Sequence, residues 1–152
     1  MKKTVRNREA FYTIAWSRAF PFDKYSITRM VPELPGLAMF SRRGDEEKKP
    51  LFIYGCWREG LRLGIKYLFD PQYSKNPGIA HDLLDGSLFL RYAVVDTTPR
   101  DMKDVLSVLI ARYAPEYNSR EYADSGRYDA IYVKEMDMRE GDVVESIPRG
   151  GL

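Results

Sequence analysis

The chain has 152 residues, 44% hydrophobic and 30% charged, the makeup of one globular domain able to bury about 70% of its unfolded surface without disulfide or metal staples. The lone Cys56 excludes an intramolecular disulfide and a thiolate metal cluster, no run nears the roughly 20 apolar residues of a bilayer span, and the start MKKTVRNREAFYTIAW lacks a signal-peptide segment, so the expected location is cytoplasmic with no membrane partner. A net charge of +2 divides at Lys66 into a basic part, with 14 Lys and Arg against 7 Asp and Glu, and an acidic remainder, with 10 against 15. That asymmetry points either to a polyanionic partner for the basic part or to opposite charges facing each other across the fold.

The N-terminal piece from Arg8 to Phe22 contains FYTIAWSRAF, which reads as either a short helix or a strand. GLAMFSR (Gly36 to Arg42) follows Pro32 and Pro35, which disfavour helix, and is read as a strand. RGDEEKKP (Arg43 to Pro50) is a polar turn, and the non-alternating LFIYGC (Leu51 to Cys56) is a buried strand that closes an antiparallel hairpin. Leu61, Ile65, Leu68 and Phe69 have helical spacing and predict a helix over Arg58 to Phe69, stopped by Asp70-Pro71. Pro77 to Leu84 is a candidate short helix, and SLFLRYAVV (Ser87 to Val95) is a third strand.

Thr98 as N-cap, Pro99 in the first helical position and Asp101 at the positive end of the dipole start the clearest helix. Met102, Val105, Leu106, Leu109, Ile110 and Tyr113 form its buried stripe, and Pro115 ends it. Residues 119–152 hold 5 basic and 8 acidic side chains and one strand-like run, DAIYVKEM (Asp129 to Met136), before a frayed PRGGL end.

Three blocks in this order, PELPGLAMF (Pro32 to Phe40), IYGCWREGLRLGIKYLF (Ile53 to Phe69) and LIARYAPEYN (Leu109 to Asn118), resemble the GIY-YIG nuclease superfamily. Gly36-Leu37-Ala38 stands where that family has GIY, and Ile53-Tyr54-Gly55 where it has YIG. Gly60-Leu61-Arg62 looks like its Asn-Leu-Arg element with one extra residue before it, and Pro115 to Asn118 like its Pro-x-x-Asn close. The resemblance implies an α+β fold, a small and mainly antiparallel three-stranded sheet flanked by helices. It divides the chain into a GIY-YIG-like domain with an N-terminal arm at residues 1–118, its core at 27–118, and an acidic C-terminal extension at 119–152 that can add a strand.

The family's reaction, as the resemblance implies it, hydrolyses a phosphodiester with one divalent metal on a helix glutamate, a motif tyrosine that helps activate water, and a helix arginine that stabilises charge on the phosphate. Of these parts the sequence keeps Arg62 alone. The tyrosine positions are Ala38 and Ile53, and the glutamate position is Leu106. Asp104 lies about 200° round the helix from Leu106, Asp101 is a capping-turn residue, and Tyr54 is one residue out of register on the opposite strand face. His81, Asp82 and Asp85 read as solvated loop groups, and Cys56 lacks a nearby base for nucleophilic chemistry.

What remains is a row of cations four residues apart, Arg58, Arg62 and Lys66, expected on one side of one helix with Tyr54 and Trp57 beside them. Such a surface tracks phosphates and stacks on bases. The expected function is a catalytically degenerate GIY-YIG-like domain that binds DNA or RNA, or serves a nucleic-acid-processing partner, with no cofactor. The alternatives are an active endonuclease with a rearranged site, which alone calls for Mg²⁺ or Mn²⁺, and a protein-interaction module presenting Trp16, Trp57 and Tyr132.

Overall fold

A computed structural model describes residues 1–44, 50–70, 72 and 88–138. The chain begins with a hairpin, β1 (Lys2–Arg6) and β2 (Glu9–Trp16), turned by Asn7 and Arg8, both at positive φ (51° and 64°). Two residues in that region give the twist a tight hairpin needs. A two-residue strand β3 (Phe20–Pro21) leads into α1 (Lys24–Met30), whose N-cap Asp23 accepts a bond from the amide of Ser26. Then follow β4 (Gly36–Arg42), β5 (Pro50–Cys56), α2 (Gly60–Leu68), β6 (Leu88–Val94), α3 (Pro99–Tyr113) and β7 (Ala130–Asp137).

The strand, strand, helix, strand, helix order read from the sequence is observed from β4 to α3. Thr98 caps α3 by accepting from the amide of Asp101, with Pro99 in the first turn. The helix closes at Ala114, in the left-handed region (φ 43°), just before Pro115.

The central sheet is antiparallel with order β3-β6-β4-β5. The expected three strands are there, and β3 adds a fourth. FYTIAWSRAF resolves as strand: β2 pairs in parallel with β7, so the arm and the acidic extension join in a second sheet, β1-β2-β7. Strands β2 and β7 each have an apolar face and, alone, nothing to bury it on. Together they cover α3.

Helix α3 therefore lies between two apolar surfaces. Met102, Val105, Leu106, Leu109 and Ile110 pack against Leu37, Met39 and Ile53 of the central sheet and Tyr12, Ile14, Trp16 and Val133 of the second. The other face of the central sheet, with Ala38, Phe40, Cys56, Leu90 and Tyr92, packs on Ile27 and Val31 of the α1 region and on Leu61, Ile65 and Leu68 of α2. Each fully buried Leu or Ile here contributes about 1.5–3 kcal/mol of hydrophobic stabilisation. The helix expected at Pro77 to Leu84, His81, Asp82 and Asp85, the tip of the Arg43 to Pro50 turn and the PRGGL end lie outside the described residues.

Candidate nucleic-acid interface

Helix α2 begins at Gly60, so Arg58 stands before it and only Arg62 and Lys66 share the helix. The expected three-cation row on one helix is corrected to two. The start is late because Gly60 adopts φ +79°, a conformation that favours glycine, and a Cβ there would lie 2.6 Å from the carbonyl oxygen of Glu33. The amide of Leu61 donates to Leu34 O at 2.9 Å. Arg62 completes this clasp: Nε donates to Val31 O at 3.0 Å and Nη1 to Glu33 Oε1 at 2.8 Å. Its side chain is 34% exposed, and among the described residues its acidic partner is Glu33 rather than an acid of the C-terminal extension. It pins the loop before β4 to the first turn of α2. Arg58 and Lys66 are exposed.

Strand β5 is an edge of the central sheet, and beside it runs an open groove of about 460 Å³. Its walls include Tyr54, Gly55 and Trp57 from the β5 side, Met102, Lys103, Leu106 and Ile110 from α3, and Asn118 and Tyr122 from the following loop. Gly55 lets the helix come close, since a Cβ there would sit 3.2 Å from Met102 Sδ. The side-chain amide of Asn118 donates to Ile53 O and accepts from Ile53 N, both at 2.9 Å, and so occupies the strand edge. Burial raises the Tyr54 phenol above its ordinary pKa, with Cys56 and Glu59 adding to the shift. Arg62 and Lys66 do not line this groove.

The motif positions separate. Ala38 is fully buried on the α1–α2 face, whereas Ile53 is fully buried on the α3 face. Directly across from Ala38 in the β4–β5 register stands Tyr54, so the tyrosine one residue out of register is the one on the Ala38 side. Leu106 is 6% exposed and packs into the α3 core while lining the groove. Magnesium, which the resemblance implies, requires hard oxygen ligands. Around Leu106 stand Met102, Ile110, Gly55 and Trp57, and both polar atoms of Asn118 are committed to Ile53. These residues do not fit such an ion. Among the described residues no group of three or more His, Cys, Asp or Glu is placed to hold a metal.

The nearest carboxylates are occupied by the fold. Asp101 accepts from Lys3 Nζ at 2.7 Å, Tyr12 Oη at 2.8 Å, Arg127 Nη2 at 3.0 Å and Thr97 Oγ1 at 2.6 Å. Asp104, fully buried, accepts from the amide of Ser125 at 2.7 Å, from its hydroxyl at 2.9 Å and from Arg127 at 2.8 Å. Burial opposes ionisation of Asp101, but bonds from Lys3, Thr97, Tyr12 and Arg127 outweigh it and hold the carboxyl well below the usual range. This network ties α3 to β1, β2 and the loop before β7, and the capping role expected of Asp101 is only part of what it does. Neither its partners nor Lys103, Tyr122 and the strand-like use of Asn118 had a signal in the local sequence.

Of the aromatic contact surface expected of an interaction module, Trp16 drops out. It is 3% exposed and donates through Nε1 to Glu135 at 2.8 Å, where Tyr113 and Arg112 also bond. Trp57 is partly buried against the α3 core, and Tyr132 is exposed. Cys56 is buried, and burial, then Glu59, pushes its thiol up to about 12, consistent with an inert structural group. Among the described residues no helix is long and apolar enough to cross a membrane.

Strand order and helix placement make this an α+β fold, with α3 held between a four-stranded and a three-stranded sheet. The chain belongs to a family described as "Uncharacterised protein", whose model matches residues 1–148. It is similar to the crystal structure of the GIY-YIG N-terminal endonuclease domain of UvrC from Thermotoga maritima bound to its catalytic magnesium. The identity is 22% and the TM-score 0.45, over 63% of this chain and 94% of that one. An asparagine-to-alanine point mutant of the same domain, bound to its catalytic divalent cation, matches at the same identity and TM-score over 64% and 94%. No curated protein matches.

Proposed function

We propose that this chain is a GIY-YIG-like domain that binds nucleic acid without cleaving it. The observation that carries the reading is the groove beside β5. Leu106, at the position the resemblance gives to the metal-holding glutamate, shares it with Tyr54, Trp57, Tyr122 and Lys103. An apolar floor with Trp57, Tyr122 and a cation suits stacking and phosphate contact, whereas metal-assisted hydrolysis needs an anionic oxygen there. Arg58, adjacent to Trp57 and exposed, extends the cationic side, and Lys66 adds charge on α2. Arg62, which the resemblance makes a charge stabiliser, is held by Glu33 and Val31 and ties α2 to the loop before β4.

The reading is tested by fluorescence anisotropy with labelled 20-nucleotide single and double strands at about 50 and about 200 mM salt. Binding is expected to weaken steeply with salt, and Lys103→Glu and Trp57→Ala each to weaken it several-fold. Absence of binding at low salt overturns the proposal, as does nicking of plasmid DNA by the purified chain with Mg²⁺ or Mn²⁺.

A further inference from the structure

The outer face of the second sheet presents a different surface. Strand alternation sends Ala10, Tyr12, Ile14, Trp16 and Val133 inward to α3, which leaves Phe11, Thr13 and Ala15 of β2, Tyr132, Lys134 and Met136 of β7, and Lys2, Thr4 and Arg6 of β1 on the other side. Phe11 and Tyr132 are opposed in the register, and their rings stack with centroids 4.9 Å apart and planes 13° apart. The guanidinium of Arg6 lies over the Phe11 ring at 5.6 Å. Cation and two rings thus form one stack running across the sheet from β1 to β7.

Strand β7 is the edge of the sheet, and Tyr132, the last ring, is 49% exposed. Among the described residues no ring or cation is stacked on its other face. Lys2, Arg6 and Lys134 are all exposed on this face of the sheet, against the carboxylate of Glu9 alone among the described strand residues. An open tyrosine face at the end of a stack, set among cations, matches a flat aromatic base carried on an anionic backbone.

We infer that this face is a second nucleic-acid contact, in which an unpaired base of a single strand stacks on the free face of Tyr132 and its flanking phosphates meet Lys134 and Arg6. A duplex keeps its bases stacked on each other and has none to offer, so the surface selects single strands. The contact is separate from the β5 groove and stands or falls independently of it.

The experiment is photo-crosslinking of the full chain to matched DNA and RNA strands bearing 5-bromouracil, followed by identification of the linked peptide, together with anisotropy titration of variants. A crosslink in the Ala130–Asp137 peptide is expected. Tyr132→Phe is expected to bind within about twofold of the unaltered chain, and Tyr132→Ala about tenfold more weakly. Lys134→Glu, an exposed change that leaves the stack intact, is expected to weaken single-strand binding several-fold. DNA and RNA arms of equal strength indicate readout of base and phosphate alone; stronger RNA binding adds a 2′-hydroxyl contact on the same face. Crosslinks confined to the β5 groove peptide, with Tyr132→Ala and Lys134→Glu binding as the unaltered chain does, overturn this inference and leave the groove reading standing. Crosslinks confined to β7, with Trp57→Ala and Lys103→Glu unaffected, do the reverse.

Discussion

Asn118 pairs with the backbone of Ile53 as a strand would, its amide nitrogen donating to the carbonyl and its amide oxygen accepting from the N–H, each at 2.9 Å. The amide of Tyr117 extends the pairing to Leu51 O at 2.9 Å. An edge strand offers a row of unpaired groups, and here one short loop covers two of its outward positions with two residues. The groove begins where that cover stops.

Asn118→Ala leaves both Ile53 groups without that partner and is expected to lower stability by about 1–3 kcal/mol. Asn118→Asp keeps an acceptor for the N–H but sets a carboxylate against the carbonyl, so it is expected to be no better than alanine. Urea denaturation of the three proteins checks this. Midpoints that coincide contradict the strand-like role.

The Asp101 network predicts a pH dependence of known sign. Its folded pKa lies below the ordinary 3.8, so the stabilisation is complete above about pH 4 and is lost as the pH falls through the folded value. At the alkaline end Lys3, although desolvated, is held above its ordinary 10.5 by Asp101, and its share is lost as the pH rises through that raised value. Asp101→Asn is expected to cost about 3 kcal/mol at neutral pH, because Lys3 and Arg127 lose a buried counter-charge. It also flattens the acid limb of the stability profile. An unchanged acid limb contradicts the assignment.

Arg62→Ala separates the clasp from substrate binding. Its loss frees Glu33 and leaves Val31 O unbonded, a change expected to cost about 1 kcal/mol given the partial exposure of the pair. Oligonucleotide affinity is expected to stay within about twofold, since Arg62 is not among the residues that line the groove. A loss of affinity as large as that of Lys103→Glu returns Arg62 to the binding surface.

Cys56 gives a structural probe. Its sulfur lies under α2, where a Cβ on Gly64 would be 2.7 Å away, and its thiol is raised to about 12. A thiol reagent at about pH 8 is expected to react only as fast as the chain unfolds. Rapid stoichiometric reaction of the native protein contradicts the packing described for α2 on β5.

The parts of the fold legible in the sequence were those whose signals are local. The Thr98-Pro99 start of α3, the apolar runs of β4, β5 and β6, and the spacing of Leu61, Ile65 and Leu68 each state their element within a few residues. The second sheet did not show because its evidence is divided between the two ends of the chain: FYTIAW becomes a strand only by pairing with AIYVKEM in parallel. The turn that starts it, Asn7-Arg8, places an arginine in a conformation usually left to Asn or Gly. The charge division had the same long-range answer. Lys3, Arg8 and Arg42 pair with Asp101, Asp129 and Glu116, so acids of the second part meet cations of the first, though among the described residues not Arg58, Arg62 or Lys66. In the candidate site, Ala38, Ile53 and Leu106, at the positions where the resemblance sets tyrosines and a glutamate, were readable one position at a time. The helix start at Gly60, which removes Arg58 from the α2 row, depends on the carbonyl of Glu33 and was not.

The most direct measurement is electrophoresis of supercoiled plasmid and of a labelled single strand with purified protein in Mg²⁺, across a salt series. The account predicts retarded bands that return to free mobility as salt rises, with the plasmid recovered fully supercoiled. Conversion of the plasmid to nicked or linear forms, lost in parallel with an Arg62→Ala substitution, would contradict it.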